Sequence, residues 1–366
     1  MKHTLVVRKP ADLTVDWAQR IVNRHASDIT VFNVAITSID IGTTTRVRLC
    51  VDHNASSALP KQWFVKFPSL SYRAQLITAL PRLLPTEVRF YHEIAPSVPV
   101  NKPFVLAGQS CFGRGATLVL SDVTEMGASP GSPDHALSFL QALQVTQKLA
   151  QFHAAFWHKV HQPHFQWLAA SVRRLEDNLG AFLAVPLMKR GLRLAGDYVP
   201  ASLHDAVMAY ARHRKQAMTF LASGAPTLIH HDCHPGNLFW QETEPGFLDW
   251  QLVRIGEGVS DMAYFLATAL EPDMRRNHEQ IFLETYLTTL AEQGVGKLDK
   301  NQLMARYRAH IAYALEAMIV TLAVGGLMPL ASNLELIRRA AQAAKDHDVF
   351  SELPIGKRAK AVKRFG

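Results

Sequence analysis

Apolar positions recur at helical spacing early in the chain. Trp17, Ile21 and Val22 predict a helix over residues 14–26. Alternation then takes over. DITVFNVAITSI, TTTRVRLCVD and QWFVKF are rich in β-branched and aromatic residues and are separated by Gly42 and by HNASSALPK, which predicts short strands. A second helix is expected at PTEVRFYHEIA, and ATLVLSDV closes the region as a further strand. After the turn-rich stretch SDVTEMGASPGSPDH the pattern changes. ALSFLQALQVTQKLAQFHAAFWHKV carries Leu149, Phe152 and Phe156 on one helical face, and the chain stays mainly helical to about residue 353. One polar stretch interrupts it: LIHHDCHPGNLFW, residues 228–240, a loop flanked by two short apolar strands and followed by GFLDW. The expected class is α+β, with a β-rich region over 1–120, a larger mainly helical region over 121–353, and a basic tail over 354–366.

Composition narrows this little. A length of 366 residues suffices for two units with their own cores, and 48% hydrophobic with 19% charged residues is ordinary for a globular protein. The longest apolar run, AMIVTLAVGGLMPL, is too short to span a bilayer and is broken by Gly325-Gly326, so it reads as a buried helix ending at the glycines. The N-terminal stretch has no apolar run of signal-peptide length, and Cys50, Cys111 and Cys233 form no disulfide framework. A cytoplasmic protein with reduced thiols is therefore expected. Five of the eight net positive charges are Lys357, Arg358, Lys360, Lys363 and Arg364 in the tail, which reads as solvated chain. No DNA partner is expected.

The chemistry concentrates in the polar loop and two outlying positions. His230, Asp232 and Asn237 stand in the pattern H-x-D-x-x-x-x-N, Asp249 follows at the end of the next strand, and Lys66 sits within QWFVKF. Phosphoryl transfer needs a carboxylate to receive a hydroxyl proton, an amide and a second carboxylate to hold magnesium, and a lysine on the nucleotide phosphates. An Asp-to-Asn spacing of five is that of kinase catalytic loops.

Taken with FVKFP, EVRFYHEIAP, LVLSDV, LAQFHAAFW, FLDWQ and SDMAYF, in this order over residues 10–350, the chain resembles the aminoglycoside phosphotransferase and ecdysteroid-kinase-like branch of the protein-kinase-like fold. The resemblance implies ATP and Mg²⁺ as cofactors. It implies Asp232 as catalytic base, Asn237 and Asp249 as magnesium ligands, and Lys66 on the phosphates with Glu87 as its helix partner. His230 and Asp261 would support the catalytic loop, and the segment after LVLSDV would be the hinge beside adenine. The sequence departs from the pattern twice. SIDIGTTTRV holds a single glycine, so Gly42, Thr43 and Thr44 are the expected phosphate contacts, and His231 occupies a position that is usually glycine in this branch.

Two rival classes use the same residues. A metal-dependent hydrolase would draw zinc ligands from the cluster at 230–234, although adjacent ligands on a short loop rarely converge on one ion. A kinase-derived binding scaffold would have lost the base, the metal ligands or the lysine, and all are present. His153 is expected to pack within its helix, and His234 to be structural or near the substrate. Between residues 136 and 229 four acids face ten Lys and Arg, which disfavours a polycationic acceptor. The expected partner is a small, neutral, partly apolar alcohol.

Overall fold

The computed structural model describes residues 4–55, 59–71, 82–169 and 171–355. The basic tail of the sequence reading lies outside them. The chain forms two compact units: Met1–Pro130 with Phe239–Leu252, and Gly131–Leu238 with Val253–Gly366.

In the first unit, α1 (Val15–Val22) is capped by Thr14, whose side chain accepts from the Trp17 N–H. The helix is shorter than the periodicity predicts because residues beyond Asn23 continue as turns. β1 (Val31–Ile41), β2 (Thr44–His53) and β3 (Gln62–Pro68) precede α2 (Leu83–Glu93), which is followed by β4 (Val105–Cys111) and β5 (Gly115–Ser121). The five strands form one antiparallel sheet in the order β1-β2-β3-β5-β4. Trp63, Val65 and Phe67 of β3 join Trp17 and Ile21 of α1 in a buried core. Strand alternation therefore sends Phe64 and Lys66 to the opposite face, where α2 lies. That parity fixes which face of the sheet carries the chemistry.

β6 (Ser129–Pro130) ends this stretch, and the second unit begins with α3 (Phe139–Phe156), opened by a Ser138–Gln141 capping box. It continues through α4 (Ser171–Ala195), α5 (His204–Arg212), α6 (Arg214–Leu221) and β7 (Pro226–Ile229). β8 (Leu238–Gln241) and β9 (Glu244–Phe247) follow, and with β6 they form a three-stranded sheet. The sequence reading placed this hairpin in the region 121–353. Its packing groups it with the first unit, because Trp250 lies flat on Phe90 of α2, with ring centroids 4.4 Å apart, and the Phe247 N–H donates to the Asn101 carbonyl.

The chain re-enters the second unit with β10 (Arg254–Glu257), paired antiparallel to β7, and then runs through α7 (Val259–Ala269), α8 (Pro272–Glu292), α9 (Lys300–Val324) and α10 (Leu330–Asp346). The long helix α9 packs on α4, α7 and α10, and buries Ile311, Ala314, Leu315 and Ile319 completely. It ends at Gly325, whose φ of 77° favours a residue without a Cβ, as the apolar run predicts. Among the described residues no helix is long and apolar enough to cross a membrane.

Candidate active site

The first unit holds Lys66, Glu87 and Asp249 in contact. Lys66 Nζ donates to Glu87 Oε1 and Oε2 at 2.8 and 3.0 Å and to Asp249 Oδ1 at 2.9 Å. Lys66 is 4% exposed and Glu87 is fully buried. Burial alone would pull the ammonium down. The Asp249 and Glu87 carboxylates outweigh it and raise the lysine above its ordinary value, so it stays charged. Burial pushes the Glu87 carboxyl up to about 7, with Lys66 pulling back. Trp250 donates its backbone N–H to Glu87 Oε1 at 3.2 Å, which ties the residue after Asp249 to the same carboxylate. Asp249 itself has φ 59°, a left-handed conformation held in place by these neighbours.

Phe64 escaped the sequence reading. It lies two residues before Lys66 on the same face and is half-buried, and the Arg48 guanidinium stands 5.4 Å from its ring centre. Arg48 Nε donates to Asp122 Oδ2 at 2.7 Å, and Asp122 caps the turn Val123–Met126. The signal was available in the strand period. Gly42 sits in the β1–β2 turn with its carbonyl accepting from Ser69 Oγ at 2.7 Å, and Thr43 and Thr44 line a cavity of about 790 Å³ together with Arg8 and Arg114.

In the second unit the loop after β7 is held from beneath by one carboxylate. Asp261, at the start of α7, accepts the N–H groups of His230 (2.7 Å) and His231 (2.8 Å), and His153 Nε2 lies 3.2 Å from it. His153 in turn meets the Tyr286 hydroxyl at 2.9 Å. Thus His153 is buried as its helix pattern predicts, and it also braces Asp261. His230 Nδ1 accepts the Asp232 N–H at 3.3 Å.

The Asp232 carboxylate is held at both oxygens. Oδ1 accepts from the Tyr264 hydroxyl at 2.7 Å, and Oδ2 accepts from Asn237 Nδ2 at 3.0 Å. Asn237 Nδ2 also donates to the Asp232 carbonyl at 2.9 Å, which fixes the amide and leaves Oδ1 as its acceptor. Tyr264 was not singled out in the sequence. Its spacing of three from Asp261 on a helix puts both on one side of α7. Burial, then the Asp232 charge, holds the Tyr264 phenol well above its ordinary value, so it remains a donor. His231 is buried with φ 71°, and its ring stacks on Tyr313 at 4.3 Å.

The cluster at 230–234 does not converge. Cys233 Sγ donates to the Asp261 carbonyl, burial pushes its thiol well up, and His234 Nδ1 accepts the Gly236 N–H. Among the described residues no three His, Cys, Asp or Glu side chains are grouped to hold a metal ion, so the zinc-ligand set of the hydrolase reading is not formed.

The ecdysteroid kinase-like family model matches residues 41–298. No curated relative matches the sequence. Among solved structures, the chain is similar to the GDP complex of wild-type aminoglycoside 2'-phosphotransferase-IIIa, at 13% identity, covering 91% of this chain and 99% of that one with a TM-score of 0.52. It is equally similar to the GDP complex of a point mutant of that enzyme, at 14% identity, 91% and 97% coverage and the same TM-score. At such identity the likeness speaks for the fold, an α+β protein-kinase-like one. With the family match spanning well over half of its length, the chain belongs to the ecdysteroid kinase-like family.

Proposed function

We propose that the protein is a small-molecule kinase that transfers the γ-phosphoryl group of ATP to the hydroxyl of a small, neutral, partly apolar alcohol. The acceptor oxygen forms a bond to the γ-phosphorus, the bridging P–O bond to the β-phosphate breaks, ADP leaves, and the hydroxyl proton passes to Asp232. Lys66 binds the nucleotide phosphates and Glu87 orients it. Phe64 offers a ring on the same face for the nucleobase. The Asn237 amide oxygen and the Asp249 carboxylate suit a hard divalent cation, which takes oxygen ligands. Mg²⁺ held by oxygens of this kind would neutralise charge on the phosphates. Three reduced cysteines fit a cytoplasmic setting.

The observation that carries this reading is the buried Lys66 between Glu87 and Asp249. Burying a cation with two carboxylates is costly and contributes little net stability, so its use lies in recognising an anion such as a phosphate. Asp232→Asn tests the reading. The amide is near-isosteric and the acid does not touch nucleotide in this scheme, so turnover should fall by roughly 10²–10⁴ while MgATP affinity stays unchanged. Phosphorylation at the wild-type rate in this variant, measured with labelled ATP across an alcohol panel, would remove Asp232 from the mechanism.

A further inference from the structure

The second unit contains a cavity of about 280 Å³ beside the catalytic loop. Leu168, Met218, Leu221, Ile229 and Ile255 give it apolar walls, and His231 and Tyr313 close one side. Three features connect and characterise it.

The first is its place. His231 is the residue before Asp232, and Tyr313, on which His231 stacks, has its ring centre 6.2 Å from that of Tyr264. Tyr264 donates to Asp232 Oδ1. The aromatic wall of the cavity thus lies one ring away from the tyrosine that holds the Asp232 carboxylate.

The second is charge. Glu257 receives Arg306 Nε and Nη2 at 2.8 and 2.6 Å and meets His310 Nε2 at 2.9 Å. Asp177 lies 3.6 Å from Arg254. Burial holds His310 below its ordinary value, so at neutral pH the two lining acids are met by Arg254 in the wall and by Arg306 behind Glu257. Such a wall attracts neither an anion nor a polycation.

The third is an unmet polar group. Ser260, 6% exposed, lines the cavity, and among the described residues its buried Oγ has no hydrogen-bond partner. A buried hydroxyl without a partner is costly, and a turn about χ1 toward the cavity would let a ligand oxygen supply one.

We infer that this cavity seats the body of the acceptor: a neutral, mostly apolar alcohol with a second polar oxygen that meets Ser260 Oγ, its reacting hydroxyl directed past His231 toward Asp232. The inference rests on the kinase reading. The volume lies just under the usual range for drug-sized ligands, so the occupant is compact, on the scale of one or two fused rings.

Ala222 lines the same cavity and is exposed at the end of α6, so a large side chain there obstructs the cavity without disturbing a core. The test compares wild type with Ala222→Trp and Ser260→Ala, using labelled ATP and a panel of neutral cyclic alcohols and diols, borneol among them, with tobramycin as the polycationic control. Thermal melting and MgATP affinity are measured on each protein. The expected result is turnover of neutral members by wild type. Ala222→Trp should raise the acceptor KM at least tenfold, and Ser260→Ala about three- to tenfold for diols, with MgATP affinity unchanged in both and melting equal to wild type or, for Ser260→Ala, higher. An unchanged acceptor KM in Ala222→Trp overturns the cavity assignment while leaving the kinase reading intact. Turnover of tobramycin alone overturns the neutral occupant. A wild type that binds MgATP and phosphorylates no alcohol overturns the kinase reading, and the acceptor seat with it. Should Ala222→Trp fail to fold, Met218→Phe narrows the same cavity from the α6 side and carries the same expectation.

Discussion

Replacing Lys66 by methionine removes one ammonium group and little else, since the two side chains are similar in length. Its consequences follow from burial. In the native chain Glu87 is fully buried and has already been lifted to about 7, with Lys66 the largest influence holding it down. From its ordinary 4.5, that displacement corresponds to roughly 3 kcal/mol of differential interaction between the two protonation states. Without Lys66, Glu87 and Asp249 face each other as like charges, and breaking a buried pair from one side costs about 3–5 kcal/mol. The sign with pH is fixed by Glu87. A carboxyl whose folded value lies above its unfolded one contributes stability that is full below about 4.5 and is lost as pH rises through the folded value. In Lys66→Met the folded value moves above 7, so the destabilisation should be largest near pH 8 and smaller at pH 6, where Glu87 takes up a proton. Adding Glu87→Gln should recover most of the stability without restoring turnover. Urea denaturation followed by tryptophan fluorescence reads this directly, because Trp63 and Trp250 are buried in the same unit. A loss under about 1 kcal/mol at pH 8, or an equal loss at both pH values, would refute the argument, because the buried-pair cost and its titration would both be missing.

Two further outcomes are expected. Asp261→Asn leaves one acceptor where two loop N–H groups now bind at 2.7 and 2.8 Å, so the variant should lose about 2–4 kcal/mol and turn over slowly; a chemical-denaturation midpoint equal to wild type would show that the loop is held otherwise. His310 is kept below its ordinary 6.5 by burial, so its contribution to stability is present above that value and lost as pH falls through the lower folded one. The melting temperature of wild type should therefore fall more steeply below pH 6.5 than that of His310→Gln, and parallel curves would exclude the assignment.

What could be read from the sequence was whatever local spacing encodes. The period of two along QWFVKF shows that Lys66 projects away from the Trp63 and Val65 face, and the structure adds only what it meets there. The five-residue step from Asp232 to Asn237 is closed by a hydrogen bond within one loop, so the motif and the contact carry the same information. Lys66 and Glu87 are 21 residues apart and depend on tertiary packing, and it was the resemblance to a known family that paired them. The helix pattern around His153 gave its burial and left out Asp261, which is 108 residues away. Tyr264 and Tyr313 were illegible for another reason: an aromatic residue on a buried helix reads as core, and nothing local records that one hydroxyl ends on Asp232 while the other ring carries His231.

His231 joins these two kinds of information. As a sequence position it is an oddity, a side chain where the branch usually has glycine. In the structure its φ of 71° is the conformation glycine would adopt without strain, and a histidine held there costs about 1–3 kcal/mol. Stacking on Tyr313 returns part of that cost, since such aromatic pairs contribute about 0.5–1.5 kcal/mol beyond their buried area. The balance is close to neutral or slightly unfavourable, so fold stability does not explain why an imidazole stands here. It lines the apolar cavity, stacks on Tyr313 and directly precedes Asp232. On the proposed reading, His231→Gly should relieve the strain and leave the fold at least as stable while changing the acceptor KM, and an unchanged KM would separate His231 from acceptor binding.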